Sequence, residues 1–183
     1  MKKIGFIGAY DKTDLIIYIA KILTTLKKKV LVIDATTKQK ARYVVPVINP
    51  TKMYVTEYEE IDIAVGFPNI EDIKRYLGYS EEQDLDYDIV LIDTDSIEGF
   101  SIFKLEESFK NYFVTSFDAY SLKKGLEILD LSVIYENQRV AKIKFKKLSI
   151  QYKDGLAYMS EEILGDVSEM TIRRAIKLIE KGV

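Results

Sequence analysis

The sequence predicts an α/β protein, in which three layers (α/β/α) surround a mostly parallel, doubly wound sheet. Three apolar runs carry this prediction, at residues 4–7, 28–36 and 87–95. Continuous apolar runs that alternate with helical segments are typical of parallel strands covered on both faces. In such sheets the carboxyl ends of the strands form the edge that binds ligands.

The first apolar run is followed by a loop and then by a helical pattern. Residues 7–14 read Ile-Gly-Ala-Tyr-Asp-Lys-Thr-Asp, and apolar residues with helical spacing continue from Leu15 to Leu26. A phosphate-binding loop needs this context, because its backbone N–H groups and the helix N-terminus point at the phosphates. Such a loop also uses a lysine and a hydroxyl, which Lys12 and Thr13 supply.

The second and third apolar runs both end in a carboxylate. Asp34 closes one strand and Asp93 closes the other. Because parallel strands present their carboxyl ends at one edge, we expect both side chains near the loop.

This order of motifs resembles the ParA/MinD family of deviant Walker A P-loop ATPases (SIMIBI class), which includes pilus-, flagellum- and plasmid-positioning homologues. The resemblance covers residues 1–135. It implies that Lys12 is the phosphate lysine, Thr13 the magnesium-binding hydroxyl, Asp34 the first carboxylate of a D-x-D motif and Asp93 the Walker B carboxylate. The nucleotide-binding residues it implies are Gly8, Ala9, Tyr10, Asp11, Lys12, Thr13, Asp34 and Asp93, with Thr13, Asp34 and Asp93 as Mg²⁺ ligands.

Four positions depart from that family pattern. Ile7 replaces the signature lysine, Ala9 and Asp11 replace glycines, and Thr36 replaces the carboxylate that orients water. Glycine permits positive φ and close approach to phosphate, and a carboxylate at Asp11 would repel phosphate. The losses at residues 7 and 36 remove charge stabilisation and water positioning. The sequence therefore predicts a degenerate Walker A loop to which no catalytic residue is assigned, and Mg-ATP binding is disfavoured.

Asp11 and Asp14 also fit a simpler role. An acidic side chain at the start of a helix accepts first-turn N–H bonds, which stabilises the helix by about 1 kcal/mol. For these two residues we favour this capping role.

Composition excludes several kinds of chemistry. The 183 residues contain neither cysteine nor histidine, so disulfides, thiolate sites, imidazole bases and His-ligated zinc are excluded. The net charge of −2 gives no overall attraction to nucleic acid. The apolar stretch after Lys3 is too short for a signal peptide, so we expect a cytoplasmic protein. The length favours one domain over residues 1–183.

The segment between residues 37 and 83 predicts short strands at 43–48, 53–56 and 61–65 and a helix over 69–77. Pro46 suggests an edge position for the first of these strands. The tyrosines and acidic residues here form either a partner surface or a locally packed insertion, and local packing is the favoured interpretation.

The last third of the chain departs from the family resemblance. Residues 141–146 alternate lysine with apolar residues, which predicts an edge strand protected by its lysines, with a nucleic-acid stripe as the alternative. Asp154-Gly155 between apolar runs predicts an antiparallel C-terminal hairpin. The family's adenine-reading asparagine has no evident equivalent. Residues 168–181 predict a capped amphipathic helix that packs on the domain, and membrane binding is disfavoured.

The sequence as a whole predicts a non-hydrolysing or weakly nucleotide-binding localisation, assembly or partition factor that acts through protein partners. One alternative is a working Mg-ATP switch that dimerises. A second alternative is a DNA-binding segregation factor that uses Lys142, Lys144 and Lys146. Homodimerisation stays open.

Overall fold

The computed structural model describes residues 1–46, 51–116, 118–130, 140–141 and 152–182. The strands are β1 (Lys2–Ile7), β2 (Val30–Asp34), β3 (Tyr54–Tyr58), β4 (Ile61–Val65), β5 (Ile89–Thr94), β6 (Lys110–Phe113) and β7 (Val140–Ala141). The helices are α1 (Thr13–Thr25), α2 (Ala41–Val44), α3 (Ile70–Tyr76), α4 (Ile97–Ile102), α5 (Ala119–Asp130), α6 (Tyr152–Leu164) and α7 (Glu169–Glu180), with a short 3-10 helix at Leu105–Glu107.

Within these residues the strands form one sheet in the order β3-β4-β2-β5-β1-β6-β7. The pairs β4-β2, β2-β5, β5-β1, β1-β6 and β6-β7 are parallel, and β3-β4 is antiparallel. The predicted α/β class with a mostly parallel sheet is confirmed. In this order β2 lies on one side of β1 and β6 lies on the other, so the chain builds the sheet in both directions from β1. The carboxyl end of β1 therefore lies at a topological switch point, where such sheets bind ligands.

Alternate strand residues supply two separate hydrophobic cores. Val32 and Leu91 lie in the core that contains residues of α1, α6 and α7. Leu31 and Ile92 lie in the core that contains residues of α3, α4 and α5. Because successive side chains of a strand point to opposite faces, each buried strand must be apolar along its whole length. The predicted three layers are present.

The prediction for residues 43–48 is wrong at its start. Residues 41–44 form α2, whose first N–H, on Ala41, donates to the Asp34 carboxylate at 2.9 Å. This contact supplies an acceptor for a helix N-terminus, which the sequence pattern does not reveal. Residues 47–50 lie outside the described part of the chain. The strand predictions at 53–56 and 61–65 are confirmed as β3 and β4.

The helix predicted over residues 69–77 is also confirmed. α3 spans Ile70–Tyr76, and the Asn69 side chain caps it by accepting the Asp72 N–H at 2.8 Å.

The predicted C-terminal hairpin is wrong, because Asp154 and Gly155 lie inside α6. Leu156, Met159 and Ile163 are buried at helical spacing in the core shared with α1, so packing overrides the local turn signal. The antiparallel pair lies instead at the β3 edge of the sheet. Val140 and Ala141 form β7, which is parallel to β6. Residues 142–146 of the edge strand predicted over 141–146, with their three lysines, lie outside the described residues, so that strand stays a prediction.

The predicted C-terminal amphipathic helix is confirmed as α7. Ile172 and Ile176 are buried in the core that contains α1. Ser168 occupies the N-cap position, but its side chain accepts no N–H of the first turn, so the predicted side-chain cap is absent. In the described part of the chain, no helix is both long and apolar enough to cross a membrane.

Candidate functional site

The loop between β1 and α1 begins with a glycine that the backbone requires. Gly8 has φ of +140°, and a Cβ at this position would lie 2.1 Å from the Val114 carbonyl oxygen. The Gly8 N–H donates to the Thr94 carbonyl at 3.1 Å, which ties the loop to the end of β5. Ile7, where the sequence resemblance implies a lysine, is fully buried in the sheet. An apolar side chain at residue 7 therefore serves the core.

Ala9 and Asp11, the two residues that replace glycines of the family pattern, cause no strain from positive φ. Neither Ala9 nor Asp11 has a positive φ in the structure. The replacements therefore put no strain on the backbone, because the loop adopts angles that ordinary residues accept. Tyr10, between them, is 44% exposed and belongs to neither of the two hydrophobic cores.

Lys12 and Asp93 contact each other at the base of the loop. The Lys12 Nζ lies 2.6 Å from Asp93 Oδ1 and donates to the Gly8 carbonyl at 2.7 Å. The exposed fractions of the two residues are only 2% and 4%. A buried pair of this kind satisfies two charges that would each be costly alone. The lysine amine is thus held by the protein itself.

The electrostatics of Asp93 reflect this burial. Burial raises the pKa of Asp93 to about 6, although Lys12 acts in the opposite direction. The nearby Asp34 and Asp95 carboxylates add to the increase, because like charges disfavour ionisation.

Asp11 and Thr13 are hydrogen-bonded to each other where the loop leads into α1. Asp11 Oδ1 accepts the Thr13 N–H at 3.2 Å, and Asp11 Oδ2 lies 2.6 Å from the Lys40 Nζ. Partial burial opposes ionisation of Asp11, but the hydrogen bonds from Lys40 and Thr13 outweigh it and lower the pKa of Asp11. Asp11 thus accepts a helix N–H, as the capping interpretation expects, while Lys12 occupies the N-cap position. Asp14 lies in the first turn of α1.

Asp34 lies beside Asp93 in the sheet, and the two residues are register partners. Its Oδ1 accepts the backbone N–H of Thr36 at 3.0 Å and the hydroxyl of Thr36 at 2.6 Å. Its Oδ2 accepts the Ala41 N–H at 2.9 Å. Both oxygens therefore organise the turn that leads into α2.

A cavity of about 250 Å³ lies at the carboxyl edge of the sheet. It brings together six of the eight predicted nucleotide-binding residues: Ala9, Tyr10, Asp11, Lys12, Thr13 and Asp93. Gly8 and Asp34 do not line it.

Sequence reasoning named Thr36 only for the carboxylate that it replaces, and it missed six other residues that line this cavity. These six come from the turn after β2, the end of β5 and the first turns of α5, and are Thr37, Lys38, Lys40, Asp95, Tyr120 and Lys124. The cavity therefore carries four lysines and three aspartates. The available signal was position, since polar residues after each parallel strand gather at this edge.

Two of the three residues predicted to hold Mg²⁺ already have other partners in this arrangement. Asp34 and Asp93 are occupied by Thr36, Ala41 and Lys12. Magnesium needs octahedral oxygen ligands that are available to it, usually carboxylates together with water. Within the described residues, no group of three or more acidic side chains is placed to hold a metal. The magnesium role of Thr13, Asp34 and Asp93 stays a prediction.

Comparisons with known proteins assign no family. No protein-family model matches the chain, and no curated protein matches it. The chain is weakly similar to the structure of a protein assigned to plasmid partition in Borrelia burgdorferi B31 and bound to AMPPNP, with 15% identity, coverage of 76% of this chain and 72% of that one, and a TM-score of 0.46. It is also similar to a plasmid partition protein from Borrelia burgdorferi studied with an iodide soak, with 11% identity, coverage of 100% and 99%, and a TM-score of 0.45. Similarity at this level assigns neither family nor function.

Proposed function

We propose that the chain is a ParA/MinD-like P-loop protein, a single domain over residues 1–183, that does not hydrolyse ATP and binds nucleotide weakly. In this proposal it acts as a localisation, assembly or partition factor through protein partners. The support comes from the site itself, in which the order of motifs is retained and the chemical groups are engaged with one another.

The observation that carries the proposal is the buried contact between Lys12 and Asp93. A nucleotide that used Lys12 in the family manner would have to draw the amine away from Asp93 and the Gly8 carbonyl. That movement leaves a buried carboxylate without its partner, which is strongly unfavourable. Weak affinity for phosphate follows from this competition.

The carboxylates that line the cavity are also engaged. Asp11 contacts Lys40, and Asp95 accepts the Thr37 N–H at 2.9 Å and the Thr37 hydroxyl at 2.7 Å. Thr36, where the resemblance implies a water-orienting carboxylate, donates its hydroxyl to Asp34. A general base must reach the attacking water, and these groups already have partners. Loss of hydrolysis is the expected result.

The test is phosphate release from ATP in the presence of Mg²⁺. We expect the wild-type rate to equal that of Lys12→Ala and of Thr13→Val. The second variant removes the predicted magnesium hydroxyl without leaving a buried charge, so it separates chemistry from unfolding. A wild-type rate that both variants abolish would overturn the proposal.

A surface for partners is supported by exposed apolar residues around α2. Tyr43 is 86% exposed, and Val44 and Met53 are about half as exposed. The Arg42 guanidinium donates to the Lys52 carbonyl at 2.5 Å, which brings the two segments together. Large exposed apolar residues that gather in this way mark contact surfaces. Sizing of the wild type and of Tyr43→Asp, with and without Mg-ATP, will show whether the partner is a second copy.

A working Mg-ATP switch is the second candidate, and the lysines around the cavity favour it. Lys38, Lys40 and Lys124 add positive charge beyond Lys12. Calorimetric titration with Mg-ATP separates the two candidates. Dissociation constants in the micromolar range would support the switch, and the proposed function predicts values of about 1 mM or weaker.

A further inference from the structure

Asp11 is the loop residue whose contacts overlap most with those a phosphate would make. The side chain lines the cavity and accepts the first backbone N–H of α1, on Thr13. Helix N-terminal N–H groups are the donors that bind phosphate in strand–loop–helix sites. Asp11 therefore places a carboxylate on a donor that a bound anion would use.

The second contact of Asp11 is an ion pair with a lysine that lines the same cavity. The Lys40 Nζ lies 2.6 Å from Asp11 Oδ2, and the two side chains are about half exposed. Ammonium groups at the mouth of a cavity attract polyanions, and a paired ammonium does so less. One carboxylate thus occupies both a backbone donor and a lysine.

We propose that Asp11 is an internal competitor for phosphate, which lowers the affinity of this cavity for polyphosphate ligands beyond the effect of the Lys12–Asp93 pair. The inference rests on the proposed function, since it explains weak binding at the same site. Lys12 would remain held by Asp93, while Asp11 determines whether Lys40 is available and places a negative charge beside the Thr13 N–H. The ligand class is a polyphosphate chain, either inorganic or carried by a nucleotide.

The test compares Asp11→Asn with Asp14→Asn. Asparagine keeps an oxygen that accepts the Thr13 N–H, so the loop geometry is retained while the charge and the Lys40 ion pair are lost. Asp14 is an exposed acid in the first turn of α1, so its variant controls for removing one negative charge near the helix N-terminus. Titrations with tripolyphosphate, ATP and Mg-ATP separate an inorganic from a nucleotide ligand.

We expect Asp11→Asn to tighten binding of at least one of these probes by about tenfold or more, and Asp14→Asn by less than about threefold. Adding Lys40→Gln to Asp11→Asn should remove most of the gain, because the released ammonium is then absent. Melting temperatures of all variants check that each one folds.

The outcomes separate the two proposals. An equal gain in Asp11→Asn and Asp14→Asn, or no gain in a folded Asp11→Asn, would overturn the role of Asp11 and leave weak wild-type binding intact. Micromolar binding of Mg-ATP by the wild type would instead overturn the proposed function. A gain that survives Lys40→Gln would contradict the part assigned to Lys40.

Discussion

Asp34 and Asp93 end neighbouring parallel strands, are register partners, and are equally buried, yet they are used differently. Asp34 accepts three hydrogen bonds from neutral donors of the turn after its strand. Asp93 faces the cavity and holds the Lys12 ammonium. The same sequence signature therefore produces a structural capping residue in β2 and a member of a buried ion pair in β5.

The difference arises from the donors that lie near the end of each strand. After β2, Thr36 and Ala41 turn back and present three donors within a few residues of Asp34. The partner of Asp93 is instead Lys12, which immediately precedes α1. A carboxylate at a strand end is thus a structural or a site residue depending on the donors its own loop supplies.

The largest expected effect on stability comes from breaking the ion pair of Asp93 with Lys12. Lys12→Met leaves the Asp93 carboxylate buried without its cation, and we expect a loss of about 3 to 5 kcal/mol in the free energy of unfolding. Denaturant unfolding measures this loss. Lys40→Met is the matched control, since it breaks a half-exposed pair with Asp11 and should cost about 0 to 1 kcal/mol.

The next effect belongs to Asp34. Asp34→Ala removes the acceptor of three hydrogen bonds and leaves the buried Ala41 N–H unpaired, so we expect a loss of about 3 kcal/mol in stability. Asp95→Ala removes two similar bonds from Thr37 at an exposed position and should cost under about 1 kcal/mol. Equal losses in the two variants would show that Asp34 is no more structural than Asp95.

The smallest of the three effects is a pH dependence from Asp93. Its pKa is raised from 3.8 to about 6, so the folded protein binds this proton more tightly than the unfolded chain does. The contribution of Asp93 to stability is therefore greatest below the unfolded value, and it decreases by about 2 kcal/mol as the pH rises from about 4 to about 6.

Asp11 and Asp118, whose pKa values are lowered, act in the opposite direction over the acid range. Subtracting the pH profile of Asp93→Asn from that of the wild type isolates the Asp93 component. A difference that stays flat between pH 4 and 6 would contradict a raised pKa for Asp93.

Much of the fold could be predicted from the sequence, because buried parallel strands must be apolar on both faces. The runs that became β1, β2 and β5 were visible for this reason, and so was the amphipathic α7. The errors fell where a distant contact decided the structure. α2 depends on the Asp34 carboxylate, and Gly155 is held within α6 by packing on α1.

The loop of the site was predictable and its contacts were not. The strand–loop–helix pattern brings residues 9–13 to the cavity, and their role in nucleotide binding stays a prediction. That Lys12 binds Asp93, and that Asp11 binds Lys40, depends on side-chain geometry between segments distant in sequence. Lys124 was missed because nothing in α5 indicates that its first turns face the same edge of the sheet.

The most direct test of the account is the coupling free energy between Lys12 and Asp93. It is obtained from denaturant unfolding of the wild type, Lys12→Met, Asp93→Asn and the double variant. If the two side chains satisfy each other, the double variant should lose less stability than the sum of the single variants, by about 2 kcal/mol or more. A coupling below about 0.5 kcal/mol would show that the two losses simply add and would contradict the claim that this lysine is held by the protein.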